Sequence, residues 1–215
     1  MDIAPGPTRI IAGLIALIAW AGLAVQFGAS VEQVGSATGA LWAMLRYFTV
    51  LTNLLVAVSF TGIALDSSRL RTPALIGGVT LAIMLVGIVY GLLLRGLLEL
   101  SGGAELADLI LHSITPVVVP LFWLMLAPKG GLRNRDPWLW AIFPLVYFGY
   151  ALARGFADGV YAYPFMNVTR IGWPATIANA LLMAAGFVIA GIAMIWLDRR
   201  LAPATAQKVR PRSPA

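Results

Sequence analysis

Six long apolar stretches follow one another along the chain, and shorter segments rich in glycine, proline or charge separate them. Each stretch is close to the ~20 apolar residues that a helix needs to cross the hydrocarbon core of a bilayer. The pattern predicts an all-α membrane protein, with one domain of six transmembrane helices over residues 1–200 and a disordered basic tail over 201–215. The predicted spans run over about residues 10–27, 41–65, 73–94, 104–126, 137–156 and 173–197.

The composition excludes a soluble fold and several kinds of site. Of the 215 residues, 60% are hydrophobic and 11% are charged, whereas soluble domains are roughly 45–50% apolar and ~25% charged. The absence of cysteine excludes thiolate chemistry, and a single histidine argues against a zinc or haem site, so we expect no metal and no cofactor. The basic residues are scattered, so we expect membrane lipids and not nucleic acid as partners. The sequence leaves the oligomeric state open.

The distribution of basic residues predicts the orientation in the membrane. With six spans, one side carries both termini and the second and fourth connections, and it holds Arg9, Arg69, Arg71, Lys129, Arg133, Arg135, Arg199, Arg200, Lys208, Arg210 and Arg212. The other side has only Arg46, Arg95, Arg154 and Arg170. By the positive-inside rule both termini are cytoplasmic. The first apolar run also resembles a secretory signal, and its removal would leave five spans with the loops on the same sides.

Polar side chains interrupt the second and fourth spans. Arg46, Thr49 and Asn53 lie three and four residues apart and are expected to share one face of a helix. Thr49 follows the start of its span by about eight residues, and His112, the single histidine, follows the start of the fourth span by the same number. At about 1.5 Å per residue both lie roughly 12 Å below their helix starts. We therefore expect Thr49 and His112 to be in contact.

The fourth span adds a carboxylate. Asp108 lies one turn before His112 and could accept a hydrogen bond from one imidazole nitrogen, which leaves the other nitrogen basic enough to activate the Thr49 hydroxyl. Ionisable residues inside spans usually face a bundle interior or a wet cavity and mark function. Each residue also has a structural interpretation. His112 could be an interhelical clamp, Thr49 could bond a carbonyl of its own helix, and Asp108 could be a salt-bridge partner.

Further polar residues are candidates for supporting or substrate-binding roles. Arg46 or Arg154 could hold the carboxylate of a fatty acid, or could instead reach toward the membrane interface. Donors to an oxyanion could come from Asn53, Thr52 or Tyr150. A polar segment over residues 158–172, which includes Tyr163, is long enough to fold over a site, although its aromatic residues also suit a membrane interface.

Two prolines and two glycines allow predictions about how the helices pack. Pro116 and Pro120 free carbonyl groups inside the fourth span, and these need partners on neighbouring helices. Gly87 and Gly91 form a pair that could let another helix approach closely.

The polar residues of the second and fourth spans fall in two short segments, residues 46–53 (RYFTVLTN) and 111–120 (LHSITPVVVP), and a third segment covers residues 159–165 (GVYAYPF). In order and spacing these segments resemble the androgen-induced membrane protein family, which includes the androgen-dependent regulator of tissue factor pathway inhibitor, and especially its six-span prokaryotic relatives. The animal members are intramembrane hydrolases of fatty acid esters of hydroxy fatty acids that use a threonine and a histidine. The resemblance places these residues at Thr49 and His112, and implies a prokaryotic inner membrane protein.

Three classes of function follow from these observations. The first is an intramembrane threonine hydrolase that cleaves a lipid ester, with Thr49 as nucleophile and His112 as base. The second is a non-enzymatic lipid-binding or transport bundle, in which Thr49 and His112 would not touch. A purely structural membrane scaffold is a third, weaker alternative.

Overall fold

The computed structural model describes residues 6–97 and 99–203, and within these residues the fold is all-helical. Residues 204–215 of the predicted basic tail lie outside the described residues. The helices are α1 (Pro7–Val34), α2 (Ala37–Met44), α3 (Phe48–Ala64), α4 (Pro73–Val89), α5 (Gly103–Leu109), α6 (Thr115–Met125), α7 (Asp136–Asp158) and α8 (Val168–Arg200). Two π-helical turns, Tyr90–Leu94 and Ile110–Ile114, extend α4 and join α5 to α6, and a 3-10 turn covers Pro164–Met166.

Within the described ranges, five continuous helical segments are long and apolar enough to cross a membrane, and a sixth span results if α2 and α3 are counted as one. Large apolar side chains are exposed along these helices; Leu92 is 78% exposed and Leu182 is 71% exposed. Such exposure suits side chains that face lipid, because lipid tails impose no cost on apolar surface. The helices are therefore consistent with a multi-pass membrane protein.

The second predicted span, residues 41–65, is wrong as a continuous helix. The chain bends by 96° between α2 and α3, and Tyr47 at the break has an extended backbone with φ −96° and ψ 132°. Arg46 consequently precedes α3 and does not share a helix face with Thr49 and Asn53. Thr49 is the second residue of α3, so its depth cannot be counted from Leu41.

Side chains of α7 stabilise this break. A helix end leaves carbonyl groups without helical partners, and three of them accept hydrogen bonds from residues on one face of α7. Tyr147 donates to the carbonyl of Arg46 at 2.9 Å, Tyr150 to that of Leu45 at 3.1 Å, and Arg154 to that of Trp42 at 2.8 Å. The bend is therefore set by tertiary contacts.

Helix α3 is the centre of the bundle and packs against both α1 and α4, while α4 also packs against α6. Its apolar residues Val56, Ala57 and Phe60 are fully buried. The polar side chains of Thr49, Thr52, Asn53 and Ser59 are buried on the same helix. These buried polar groups need hydrogen-bond partners on neighbouring helices, because burial has removed them from water.

The glycine and proline predictions are confirmed in part. A Cβ atom on Gly87 would lie 2.6 Å from Cβ of Pro116, so α4 and α6 touch at this point, whereas a Cβ on Gly91 would meet nothing within 4 Å. Pro116 has no N–H for the carbonyl of Leu111 in the π-helical turn. That carbonyl instead accepts from the side chains of Asn53 at 3.1 Å and Thr115 at 3.2 Å.

The predicted covering segment, residues 158–172, is shorter than expected because helices occupy both of its ends. Asp158 is the last residue of α7, and α8 begins at Val168, where the Asn167 side chain accepts from the backbone N–H of Arg170. Gly172, with φ 76° and ψ 165°, interrupts α8 one turn after its start. Only residues 159–167 therefore connect the two helices.

Candidate active site

Thr49 and His112 are in contact. Oγ1 of Thr49 lies 3.1 Å from Nε2 of His112, which is hydrogen-bonding distance. Thr49 is in the first turn of α3 and is 6% exposed, and His112 is in the π-helical turn between α5 and α6. The predicted contact is present, although the reasoning from equal depth in two straight helices was wrong, because the bend before α3 fixes the position of Thr49.

A carboxylate lies on the other side of the imidazole. Oδ1 of Asp108 is 2.9 Å from Nδ1 of His112. The contact is short but bent, since Nδ1 has no acceptor in the line of a straight N–H···O bond. A hydroxyl, an imidazole and a carboxylate thus form a row, which is the arrangement that lets an imidazole remove a hydroxyl proton and carry the resulting positive charge beside an anion.

Tyr90 completes the surroundings of His112. Its hydroxyl donates to Oδ2 of Asp108 at 2.5 Å. Its ring stacks on the imidazole, with 4.3 Å between ring centroids and 18° between planes. Tyr90 begins the π-helical turn after α4, so two π-helical turns face each other across the site. Such turns are often found at functional sites.

Asn53 braces the two helices that carry the site. Its amide nitrogen donates to the carbonyls of Thr49 at 2.9 Å and Leu111 at 3.1 Å, and its amide oxygen accepts from Thr115 at 2.7 Å. Asn53 is fully buried. Because both amide donors are already used by backbone carbonyls, Asn53 has no donor left for an oxyanion. Its place in the structure is that of a clamp between α3 and the second π-helical turn.

Tyr163 lies at the amino terminus of α3. Its hydroxyl accepts from the backbone N–H of Phe48 at 3.1 Å and also interacts with Thr49 and Tyr147. Desolvation by burial raises the pKa of the Tyr163 phenol, so this hydroxyl keeps its proton at neutral pH. The loop that bears Tyr163 is packed by ring stacking on Phe165, with 5.0 Å between centroids.

An apolar cleft ends at Thr49. Its empty volume is about 760 Å³, which includes the space at its open side. It lies between α4, α7, α8 and the loop that carries Tyr163. Leu85, Pro144 and Met183 are among its walls. Its hydroxyl-bearing residues are Thr49, Tyr147 and Tyr163. The cleft therefore presents an apolar lining with a hydroxyl group of the candidate site at its surface.

A second pocket lies on the other side of the row. It is more polar than the cleft, holds about 770 Å³ of empty space counted in the same way, and is lined by residues that include Tyr90, Arg95, Glu105 and Asp108. Thr49 borders the apolar cleft and Asp108 borders the polar pocket, with His112 between them. The row of three side chains thus runs from an apolar to a polar compartment.

Three of the predicted supporting residues serve the fold in this structure. Arg46 pairs with Asp158 at 2.6 Å, and Arg154 lies 3.6 Å from the same carboxylate and 3.8 Å from the centre of the Trp42 ring. Tyr150 donates to a backbone carbonyl and accepts from Arg154 at 3.1 Å. None of Arg46, Tyr150 and Arg154 lines the apolar cleft. In this structure these three side chains contact other residues of the chain and not the cleft.

Thr52 does not line the cleft either. It is fully buried, and its hydroxyl has no hydrogen-bond partner among the described residues. Two functional candidates were missed by reasoning from the sequence, namely Tyr90 and Tyr147. Tyr90 could not be recognised, because a tyrosine near the end of an apolar span is an ordinary interface residue. For Tyr147 there was a signal: Tyr147, Tyr150 and Arg154 repeat at helical spacing, which indicates one polar face of α7.

Within residues 6–97 and 99–203, no group of three or more histidine, cysteine, aspartate or glutamate side chains is placed to hold a metal ion. No family model, no curated protein and no solved structure matches this chain.

Proposed function

We propose that this protein is an intramembrane hydrolase that cleaves a lipid ester, with Thr49 as the nucleophile and His112 as the general base. The observation that carries the proposal is the 3.1 Å contact between Oγ1 of Thr49 and Nε2 of His112 at the surface of an apolar cleft. A hydroxyl that is paired with a basic nitrogen can attack a carbonyl carbon. The imidazole, which is oriented by its contact with a carboxylate, can take the proton of that hydroxyl.

The reaction has two halves. In the first, Nε2 of His112 removes the Thr49 proton while Oγ1 attacks the ester carbonyl, and the tetrahedral intermediate expels the alcohol, which takes the proton from Nε2. In the second, His112 removes a proton from water, and the hydroxide attacks the acyl-threonine. The intermediate then expels Oγ1 of Thr49, which regains its proton, and the fatty acid leaves. The Asp108 carboxylate stabilises the imidazolium in both halves.

Negative charge develops on the carbonyl oxygen in both halves and needs donors close to Thr49. Tyr163 is the best-placed side chain, because it lines the same cleft and its phenol stays protonated at neutral pH. Amide groups in the first turn of α3 have no helical acceptors and add a positive dipole at this end. We infer that these groups replace Asn53, Thr52 and Tyr150 as the oxyanion donors.

The lining of the cleft supports a lipid ester as the substrate class. Apolar walls on α4, α7 and α8 suit an acyl chain, and the proposed mechanism requires its ester carbonyl to lie next to Thr49. The resemblance to the androgen-induced membrane protein family supports the same chemistry, and with it we propose six spans, cytoplasmic termini and a prokaryotic inner membrane location. A lipid-binding or transport bundle is less well supported, because it gives no reason for a hydroxyl, an imidazole and a carboxylate to form a row.

The proposal is tested by hydrolysis of p-nitrophenyl octanoate by the purified protein in detergent micelles. Thr49→Ala and His112→Ala are each expected to reduce turnover to the level of the micelles alone. Thr80→Ala is the matched control, because Thr80 is a buried threonine whose hydroxyl bonds only the carbonyl of Ile76 at 2.8 Å. Turnover at the parental rate in both site variants would refute the assignment of Thr49 and His112.

A further inference from the structure

Tyr90 makes two separate contacts with the candidate site. Its hydroxyl donates to Oδ2 of Asp108 at 2.5 Å, and its ring lies 4.3 Å from the His112 ring in a nearly parallel stack. Gly87 on the same helix lies against Pro116, so α4 also packs on α6 through a contact that does not involve Tyr90. Both contacts of Tyr90 are with the two residues that follow Thr49 in the row.

The first contact fixes the carboxylate. Oδ2 of Asp108 faces Tyr90 and Oδ1 faces Nδ1 of His112, so each oxygen has one partner. The contact with His112 is bent, whereas the contact with Tyr90 meets hydrogen-bond geometry. The tyrosine is thus the better tether of the two. Without it the carboxylate could turn toward the polar pocket, where water and Arg95 would compete for it.

The second contact fixes the plane of the imidazole. A ring stacked at 18° covers one face of His112 and opposes rotation about the bond that joins the imidazole to its Cβ atom. Such a rotation would exchange the positions of the ring nitrogens and carbons. Nε2 would then move away from Oγ1 of Thr49, to which it is 3.1 Å distant.

We propose that Tyr90 is a positioning residue that holds Asp108 through its hydroxyl and the His112 ring through its aromatic face, so that His112 keeps its proton on Nδ1 and a free electron pair on Nε2. The effect of Tyr90 on turnover rests on the hydrolase function proposed above. Its effect on the state of the imidazole does not, and this separates the two tests.

The state of the imidazole can be read directly because the chain has a single histidine. The protein is purified through a histidine-free tag, labelled with ¹⁵N-histidine and studied by NMR in detergent micelles at neutral pH. The parent is expected to give one set of imidazole signals, with Nδ1 protonated and Nε2 not. Tyr90→Phe keeps the stack and is expected to shift the Nδ1 signal. Tyr90→Leu loses both contacts and is expected to give a mixture of the two neutral tautomers.

Tyr161→Phe is the matched control for the loss of a tyrosine hydroxyl. The Tyr161 hydroxyl is buried without a hydrogen-bond partner among the described residues, and the residue packs against Gly155. Its spectrum is expected to match that of the parent. An imidazole spectrum in Tyr90→Leu that also matches the parent would overturn the proposal. Tyr90→Phe, which changes one atom, serves if Tyr90→Leu does not fold.

Turnover of p-nitrophenyl octanoate gives the second readout. A hydrogen bond to a charged group has a free energy that corresponds to roughly a tenfold to hundredfold change in rate. We expect kcat of Tyr90→Phe to fall by roughly tenfold and that of Tyr90→Leu by more, with KM unchanged because Tyr90 does not line the cleft. If the parent hydrolyses the ester and Tyr90→Leu keeps its kcat, Tyr90 has no positioning role. If the parent hydrolyses no ester, the hydrolase proposal fails, and the NMR result still decides the placement of His112.

Discussion

Gly87→Ala is predicted to disturb the site from a distance. The added Cβ atom would lie 2.6 Å from Cβ and 3.3 Å from Cγ of Pro116, whereas carbon atoms pack at about 3.5–4.0 Å. The proline ring cannot rotate away, so α4 and α6 must separate by roughly 1 Å at this point. Tyr90 lies one turn after Gly87 on the same helix, and it would move with α4 away from the His112 ring.

The size of the effect follows from these distances. Overpacking of this kind costs about 1–3 kcal/mol of stability. Tyr90 positions His112, and a displacement of ~1 Å that reaches a catalytic group can reduce turnover by about a hundredfold. We therefore expect Gly87→Ala to lower both the thermal midpoint in detergent and the kcat for p-nitrophenyl octanoate.

Gly91→Ala is the matched control, since its added Cβ would meet nothing within 4 Å. This variant is expected to keep the midpoint and the activity, or to gain slightly in stability because alanine favours a helix over glycine by about 1 kcal/mol. A Gly87→Ala protein with the parental midpoint and kcat would show that the close approach of α4 and α6 does not control the site.

Three further changes test other parts of the account. Asn53→Ala removes the hydrogen bond between α3 and the carbonyl of Leu111. An average interhelical hydrogen bond in a membrane contributes ~0.6 kcal/mol, and the variant also leaves a cavity and an unpaired carbonyl. We therefore expect the free energy of unfolding, measured by SDS titration, to fall by roughly 1–3 kcal/mol. Asp158→Asn leaves Arg46 without the carboxylate at 2.6 Å, so the loop over residues 159–167 is expected to be cleaved faster in limited proteolysis. Burial lowers the pKa of Lys129 in the folded state. Between this pKa and that of the unfolded state, the folded protein binds fewer protons than the unfolded chain, so the free energy of unfolding rises with pH in this range. The thermal midpoint of the parent should therefore rise with pH toward pH ~10 relative to that of Lys129→Gln, and a constant difference would contradict this.

The apolar pattern was sufficient to predict the helical class and most of the spans. Long runs of apolar residues have few alternatives to a membrane helix, because every backbone group must be satisfied within the segment. The third, fourth and fifth predicted spans, at 73–94, 104–126 and 137–156, correspond to Pro73–Leu94, Gly103–Met125 and Asp136–Asp158. The break after α2 could not be predicted, because no glycine or proline marks residues 45–47.

The break depends instead on groups far along the chain. The carbonyls at the end of α2 accept hydrogen bonds from three side chains of α7 that lie more than 100 residues away in sequence, namely Tyr147, Tyr150 and Arg154. Because these partners are so far apart in sequence, the sequence leaves open a substrate-binding role for Arg46 and Arg154. Their pairing with Asp158 is visible only in three dimensions.

The candidate site is predicted in part from its chemistry and in part from a count of residues along two helices. Asp108 and His112 stand out because ionisable groups are unusual within apolar spans, and Thr49 is selected because it lies as many residues into its span as His112 does. Their contacts depend on the first turn of α3 and on a π-helical turn, which a count of residues along ideal helices does not capture. Tyr90 could not be distinguished in the sequence, because tyrosines are common where spans end.

The central claim is that the Thr49 hydroxyl is the nucleophile and that His112 activates it. The most direct measurement is mass spectrometry of the purified protein after incubation with an alkyl fluorophosphonate. We expect one phosphonylated residue, located at Thr49, and no adduct in Thr49→Ala or His112→Ala. An adduct that persists in Thr49→Ala, or a parent protein that forms none, would contradict it.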